Sequence, residues 1–374
     1  MGSLRDIFNP FFKTISIAGN GPVLVCRSFI CFFLGFFVSA MCSAQPQGLF
    51  DSEEIIRITL SGELSGLITD RPEDPEYFPV QLSYSEANGN KISIPLKIKQ
   101  RGNFRRLKGN CSFPPLLLNF AKKKTVKSIF EGQDKIKLVT PCRGDEYVLQ
   151  EYYAYKLYNL VSPRSFRVRL LEVHLDDPGL RAKDRRPFYG FLLEEEDQMA
   201  TRNNMIAIKR MLLRPEIMQR DDFLNMAVFN YLIGNTDWSV QYRQNIKLIA
   251  EDSLTLPVTV PYDFDHAGIV RAPYAHPAEE LRLNSTLQRR YRGFCLEDME
   301  DFEAVIAKYD SLKDDIYAVY TSSTLLDEKY VQRTLKYLDD FYATIRDPKK
   351  LRSEFQYPCQ KNSTGNIVIK GMKN

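Results

Sequence analysis

Two polar loops flank a pair of short apolar strands in the stretch from Gly234 to Gly268. Each loop carries two side chains with oxygen atoms, and the four residues are Asp237, Asn245, Asp263 and Asp265. Because the strands between the loops are expected to pair as a hairpin, the four side chains should meet at one of its ends. Carboxylate and amide oxygens are the ligands that hard divalent cations prefer. This stretch therefore predicts a cation site beside a hairpin.

The composition is that of an ordinary globular protein. The chain has 374 residues, of which 44% are hydrophobic and 26% are charged, and this excludes a wholly disordered or fibrous chain. The length favours a two-lobed body or two closely packed domains. The formal net charge of +4 gives no indication of a nucleic-acid partner, and it leaves the oligomeric state open.

Residues 1–44 differ in character from the rest of the chain. Basic residues precede an uncharged apolar run at 28–40, and Ser43 and Ala44 are small residues of the kind found at signal-peptidase sites. We predict a signal peptide over residues 1–44, with cleavage near Ala44. The mature chain would be secreted or periplasmic, with no membrane contact beyond the signal segment. An uncleaved N-terminal membrane anchor is the alternative, although the apolar run is short for spanning a bilayer.

The cysteines beyond the predicted signal peptide are Cys111, Cys142, Cys295 and Cys359. An even number suits an oxidising compartment. We expect Cys111 to pair with Cys142, and Cys295 with Cys359, because each pairing joins cysteines that are nearest in sequence. Free buried thiols are the alternative. A zinc site is not indicated, since the chain has no Cys-x-x-Cys motif and its three histidines are scattered.

The order of the predicted elements indicates an α+β protein. Residues 45–198 contain alternating apolar segments and a hairpin turn at 88–90, which predict an antiparallel sheet with one buried helix over 147–160. Residues 199–352 show mainly helical periodicity and carry the two polar loops. Residues 353–374 are predicted to form a polar tail.

Charged side chains of the first part complete the candidate site. Arg101 lies in a glycine-bearing turn after a predicted strand, where it would either grip phosphate oxygens or lie in a solvated hairpin tip. Lys137 lies on a later strand and Glu151 in the helix that follows, which is the order of the ion pair that positions nucleotide phosphates in kinases. Lys135 and Lys97 are alternatives to Lys137.

A series of motifs occurs in a fixed order along residues 90–275. The motifs are Arg101-Gly102-Asn103, the strand with Lys137, the helix with Glu151, the strand that begins at Gly190, the loop Asn235-Thr236-Asp237-Trp238 with Asn245, and Tyr262-Asp263-Phe264-Asp265-His266. This series resembles the one found in the spore-coat protein H (CotH)-like kinases, and the chain would be a secreted bacterial member of that family. Two of the loops more distantly resemble those of the HipA-type kinases. The resemblance implies an atypical protein-kinase-like bilobal fold, with an antiparallel-sheet N-lobe and a mainly helical C-lobe.

The resemblance also implies a role for each candidate residue. Asp237 would be the catalytic residue that orients the acceptor hydroxyl and takes its proton. Asn245 and Asp263 would hold Mg²⁺ or Mn²⁺, with Asp265 as a second ligand or a support. The residues that would hold the phosphates of ATP, the implied donor, are Lys137, Glu151 and Arg101. The acceptor would be a protein or another hydroxyl-bearing molecule.

Two departures keep other interpretations open. The chain has no Gly-x-Gly-x-x-Gly loop, and the residue after Asp237 is Trp238 where a basic residue is common. The alternative function is that of a non-catalytic pseudokinase or a calcium-binding envelope or surface module. Loop carboxylates also cap turns for purely structural reasons. His266 beside Asp265 gives a weaker indication of a carboxylate-based hydrolase.

Overall fold

The computed structural model describes residues 48–107, 109–365 and 367–370. These residues belong to one compact unit, Gln45–Asn374. The predicted signal peptide over residues 1–44 lies outside the described residues. Within them, no helix combines the length and the apolar character needed to cross a bilayer.

The N-terminal part is built on a closed barrel of seven strands, joined in the order β1-β2-β3-β4-β5-β7-β6. The strands are β1 (Ile56–Ser61), β2 (Phe78–Ser85), β3 (Lys91–Gln100), β4 (Leu116–Phe120), β5 (Lys135–Val139), β6 (Val168–Asp176) and β7 (Phe188–Leu193). Alternate side chains point into the barrel, as β3 shows: Ile94, Leu96 and Ile98 are buried, and Lys97 between them is exposed. This period of two is the pattern that predicts these strands from the sequence.

One pairing differs from the antiparallel sheet that the sequence predicts. β1 runs parallel to β6, with Ile58 opposite Val173, and this pairing closes the barrel. Parallel neighbours need a long connection, and here the connection contains β2 to β5 and a long helix. Alternation of apolar and polar residues identifies a strand but does not show which distant strand lies beside it. The closure of the barrel could therefore not be predicted from the sequence. Closing the barrel removes the exposed edges that an open sheet would leave.

The C-terminal part is mainly helical. The α-helices of the described residues are α1 (Ser65–Thr69), α2 (Asp145–Val161), α3 (Glu196–Arg202), α4 (Arg220–Ile233), α5 (Glu300–Ser311), α6 (Lys313–Thr321), α7 (Glu328–Ile345) and α8 (Pro348–Phe355). A small antiparallel sheet joins β8 (Ile206–Ala207), β9 (Ile246–Ala250) and β10 (Val258–Pro261). The protein is therefore α+β, with a sheet-rich N-terminal part and a helical C-terminal part.

Two of these helices are buried on almost all sides. The long helix α2 packs on β7 and β6 and also contacts α4 and α6. Helix α4 is buried from Phe223 to Ile233, including the polar Asn225 and Asn230. Asp221 and Asp222 lie in its first turn, where carboxylates favour the positive end of the helix dipole. These helices form the rigid support from which the candidate site is built.

Both predicted disulfides are formed, Cys111–Cys142 and Cys295–Cys359. The pairing by nearest neighbours in sequence is thus confirmed, and two disulfides are consistent with an extracellular, oxidising compartment.

The segment predicted to be a polar tail is attached to the body of the protein at several points. Helix α8 ends at the buried Phe355, and the hydroxyl of Tyr357 accepts a hydrogen bond of 2.8 Å from Arg290. Cys359 is held by its disulfide, and the side chain of Ile369 is buried.

Candidate active site

A cavity of about 390 Å³ collects residues from three parts of the chain. The barrel and the turn after β3 contribute Arg101, Arg105, Val139 and Leu193. Helix α2 contributes Glu151 and Tyr155. The loops around the β9–β10 hairpin contribute Asp237, Asn245, Asp263, Asp265 and His266. Of the residues predicted from the sequence, all but Lys137 line this cavity.

The β9–β10 hairpin explains why Asn245 and Asp263 lie together. Ile246 pairs with Pro261 at the end of the hairpin, and the backbone N–H of Tyr262 donates to the carbonyl of Asn245 at 3.0 Å. Asn245 and Asp263 therefore leave the hairpin at the same end. Both adopt left-handed backbone conformations, with φ of 51° and 63°, which Asn and Asp tolerate better than other non-glycine residues.

The end of helix α4 sets the position of Asp237. Gly234 ends the helix in a left-handed conformation with φ of +68°, and a Cβ atom there would lie 2.1 Å from the hydroxyl of Tyr337. The amide group of Asn235 donates to Asn230 at 2.9 Å, and its oxygen accepts from the backbone N–H of Asp237 at 3.1 Å. The loop that carries Asp237 is thus held to the buried helix from its first residue.

Asp237 and Asn245 are joined directly across the loop. The Asn245 Nδ2 atom donates to the backbone carbonyl of Asp237 at 2.8 Å and to its Oδ2 atom at 2.9 Å. The Oδ1 atom of Asp237 is buried and has no hydrogen-bond partner among the described residues. Burial raises the pKa of Asp237, and the charge of Asp265 adds to this, while His266 and Arg292 oppose it. A buried acceptor atom without a hydrogen-bond donor is energetically unfavourable unless water or a ligand supplies the donor.

The remaining carboxylates form a crowded acidic group. Burial and the neighbouring Asp265 raise the pKa of Asp263 to about 6. Burial and Asp265 likewise raise the pKa of Glu151 well above its usual range. The hydroxyl of Tyr274 donates to Asp265 at 3.2 Å. Burial and the mutual repulsion of these carboxylates disfavour their ionised forms, so a bound cation would stabilise the group.

The ion-pair partner of Glu151 is Arg105. The Arg105 Nη1 atom lies 3.5 Å from Glu151 and 3.9 Å from Asp265, and another nitrogen donates to the carbonyl of Thr140 at the end of β5. Although burial opposes its charge, the neighbouring Tyr274, Glu151 and Asp265 raise the pKa of Arg105. Sequence reasoning did not single out Arg105, although it lies in the arginine-rich turn that begins at Arg101.

Lys137 does not pair with Glu151 in the described part of the chain. Its ammonium group lies 5.0 Å from the centre of the Tyr262 ring, and that of Lys247 lies 5.3 Å from the same ring. Burial, with Arg101 and Lys247, lowers the pKa of Lys137 to about 8. The two alternatives, Lys135 and Lys97, are exposed. Of the three candidate lysines, Lys137 is therefore the one that is half-buried, and it lies against Tyr262, which lines the cavity.

The acidic residues fit a cation that shares its ligands with a substrate. Within the described ranges, no group of three or more His, Cys, Asp or Glu side chains is arranged to hold a metal ion by itself. Magnesium commonly uses one or two carboxylates and completes its shell with water and substrate phosphates. Asp263, Asp265 and Asn245 line the cavity together and offer oxygen atoms of the kind that such a site uses.

Comparison with known proteins shows only distant similarity, to solved structures. No protein-family model matches the chain, and no curated protein sequence matches it. Among solved structures, the chain is similar to the crystal structure of a Helicobacter pylori proinflammatory kinase, CtkA, with 10% sequence identity and a TM-score of 0.39. The similarity covers 68% of this chain and 94% of that chain.

Proposed function

We propose that this protein is a secreted, metal-dependent kinase of the CotH-like type, which transfers phosphate from ATP to a hydroxyl group of a protein or another acceptor. The observation that carries the proposal is the convergence on one cavity of residues that are far apart in sequence. The turn at Arg101, Glu151 on α2, Asp237 after α4, and Asp263 after β10 all line it. Glu151, Asp237 and Asp263 follow one another in the order in which kinases supply the glutamate of the ion pair, the catalytic aspartate and the metal-binding aspartate, and this order supports the proposal.

Asp237 is the acceptor-side residue of the proposed reaction. Its free Oδ1 atom receives a hydrogen bond from the acceptor hydroxyl, while Asn245 holds the other oxygen. The hydroxyl oxygen forms a bond to the γ-phosphorus of ATP, the bond from that phosphorus to the bridging oxygen breaks, and the hydroxyl proton passes to Asp237. A carboxylate whose pKa is raised by burial is a better proton acceptor than an exposed one.

The other residues hold the donor. Arg101 and Lys137 both lower the pKa of Asp263, which indicates positive charge near this carboxylate. Arg101, which lines the cavity, would bind phosphate oxygens, with Lys137 as a second cation nearby. Asn245, Asp263 and Asp265 would hold the Mg²⁺ or Mn²⁺ ion, which when bound neutralises charge on the phosphates. Val139 and Leu193 provide an apolar wall of the cavity.

The proposal is tested with the purified chain that begins at Gln45. We expect ATP-dependent labelling of an acceptor or of the protein itself, lost in Asp237→Ala and in Asp263→Ala, while both variants stay folded by circular dichroism. Asp252→Ala is the matched control, because Asp252 lies in the exposed turn at the other end of the same hairpin. Full labelling by either cavity variant would exclude the proposal.

A non-catalytic pseudokinase or calcium-binding surface module is the second candidate. The observation that favours it is the pairing of Glu151 with Arg105, which leaves Lys137 beside Tyr262 and outside the usual kinase ion pair. Thermal-shift measurements separate the two candidates. Stabilisation that requires ATP together with magnesium supports the kinase, whereas stabilisation by calcium alone, without labelling, supports the surface module.

A further inference from the structure

A buried arginine holds the backbone on both sides of Asp237. Arg292, from the basic run at 289–293, donates to the carbonyl of Trp238 at 2.7 Å and to the carbonyl of Thr236. These carbonyls belong to the residues directly after and directly before Asp237. The side chain of Arg292 reaches them from 54 and 56 residues away in sequence, and only 9% of its surface is exposed.

The same guanidinium also binds the C-terminal segment. Its other terminal nitrogen donates to the carbonyl of Ile367 at 2.7 Å, and its central carbon lies 5.4 Å from the centre of the Trp238 ring. Burial lowers the pKa of Arg292 to about 10, so the side chain keeps its charge at neutral pH. Arg292 donates to three carbonyl acceptors through two nitrogens of its guanidinium, whereas a lysine ammonium is a single point of charge.

We propose that Arg292 is a positioning residue for Asp237, which fixes the loop at Thr236 and Trp238 so that the carboxylate between them points into the cavity. The proposal rests on the proposed function only for the catalytic role of Asp237. The contacts of Arg292 with Thr236 and Trp238, which we call the clamp, can be tested without phosphate transfer. Nothing in the basic run at 289–293 assigns this role from the sequence alone.

Two substitutions separate geometry from charge. Arg292→Gln removes the charge and the fork, and Arg292→Lys keeps the charge but cannot reach three carbonyls at once. Arg290→Gln is the matched control, because Arg290 lies in the same run and binds Tyr357 and Thr364 rather than the loop of Asp237. Each variant is first checked for thermal unfolding, and hydrogen exchange of the backbone over residues 235–241 is then compared with that of the unchanged protein.

We expect faster exchange over residues 235–241 in both Arg292 variants and unchanged exchange there in Arg290→Gln. In the phosphate-transfer assay, kcat should fall by about 10²-fold in Arg292→Gln, with KM for ATP within about twofold, because a small displacement of a catalytic group has an effect of that size.

The proposal is overturned if exchange over residues 235–241 is unchanged in Arg292→Gln, or if Arg290→Gln has the same effect. Should Arg292→Gln fail to fold, Arg292→Lys gives the same comparison with the charge retained. If the unchanged protein transfers no phosphate, the proposed function fails, and the exchange experiment alone then decides whether Arg292 holds the loop.

Discussion

The guanidinium of Arg105 lies 3.5 Å from the carboxylate of Glu151, and both side chains are almost fully buried. The same nitrogen lies 3.9 Å from Asp265. One cation thus connects the turn after β3, helix α2 and the loop after β10. Because a buried carboxylate without a partner is strongly unfavourable, this contact ties the barrel to the acidic loop.

Arg105→Met should destabilise the protein by about 3–5 kcal/mol, because it leaves Glu151 and Asp265 buried without their cation. Lys137→Met is the matched control and should cost about 1 kcal/mol or less, since Lys137 contacts the Tyr262 ring and acts on Asp263 only as one of several nearby cations. Urea unfolding at pH 7 measures both. An equal loss of unfolding free energy in the two variants would show that the ion pair of Arg105 does not stabilise the protein.

Asp263→Asn should stabilise the cation-free protein at high pH. The pKa of Asp263 is about 6 in the folded protein against 3.8 ordinarily, so the folded state binds this proton more tightly. The resulting stability is fully present below about pH 4 and is lost as the pH rises through 6. We expect the variant to gain about 1–3 kcal/mol over the unchanged protein at pH 8, and less at pH 5. Thermal unfolding in a chelator over this pH range tests it, and a pH-independent difference would contradict it.

Cation-dependent binding of nucleotide should weaken below pH 6. A cation needs Asp263 in its ionised form, and each pH unit below its pKa reduces that form about tenfold. Thermal-shift titrations with magnesium and a non-hydrolysable ATP analogue at pH 5, 6 and 7.5 measure this. Asp263→Asn should show weak binding at all three values, and an affinity that is constant with pH in the unchanged protein would exclude Asp263 as a ligand.

Gly234→Ala should destabilise the protein by about 2–5 kcal/mol. The left-handed backbone costs a residue with a Cβ about 1–2 kcal/mol, and the new methyl group would also overlap the hydroxyl of Tyr337. Gly89→Ala is the control, because Gly89 also has a positive φ, of +86°, but faces open space. Gly89→Ala should lose only the unfolding free energy that the left-handed backbone costs a residue with a Cβ atom. The difference between the two in urea unfolding measures the packing of Tyr337 beneath the loop of Asp237.

Local patterns in the sequence predicted much of this protein. Alternation predicted the strands, the nearest cysteines predicted both disulfides, and helical periodicity predicted the mainly helical character of residues 199–352. The hairpin between Asn245 and Asp263 also follows from its own residues, because the partners of a hairpin are neighbours along the chain. Such features depend on interactions over a few residues, and a sequence displays these directly.

Other features were decided by the tertiary structure. The parallel pairing of β1 with β6, the choice of Arg105 over Lys137 as the partner of Glu151, and the clamp of Arg292 on the loop of Asp237 each join segments that are distant in sequence. Lys137 has the spacing of a kinase lysine, but the direction of its side chain depends on the barrel and on Tyr262. Long side chains such as Arg and Lys can reach several partners, and only the packing of the surrounding elements determines which partner lies within range.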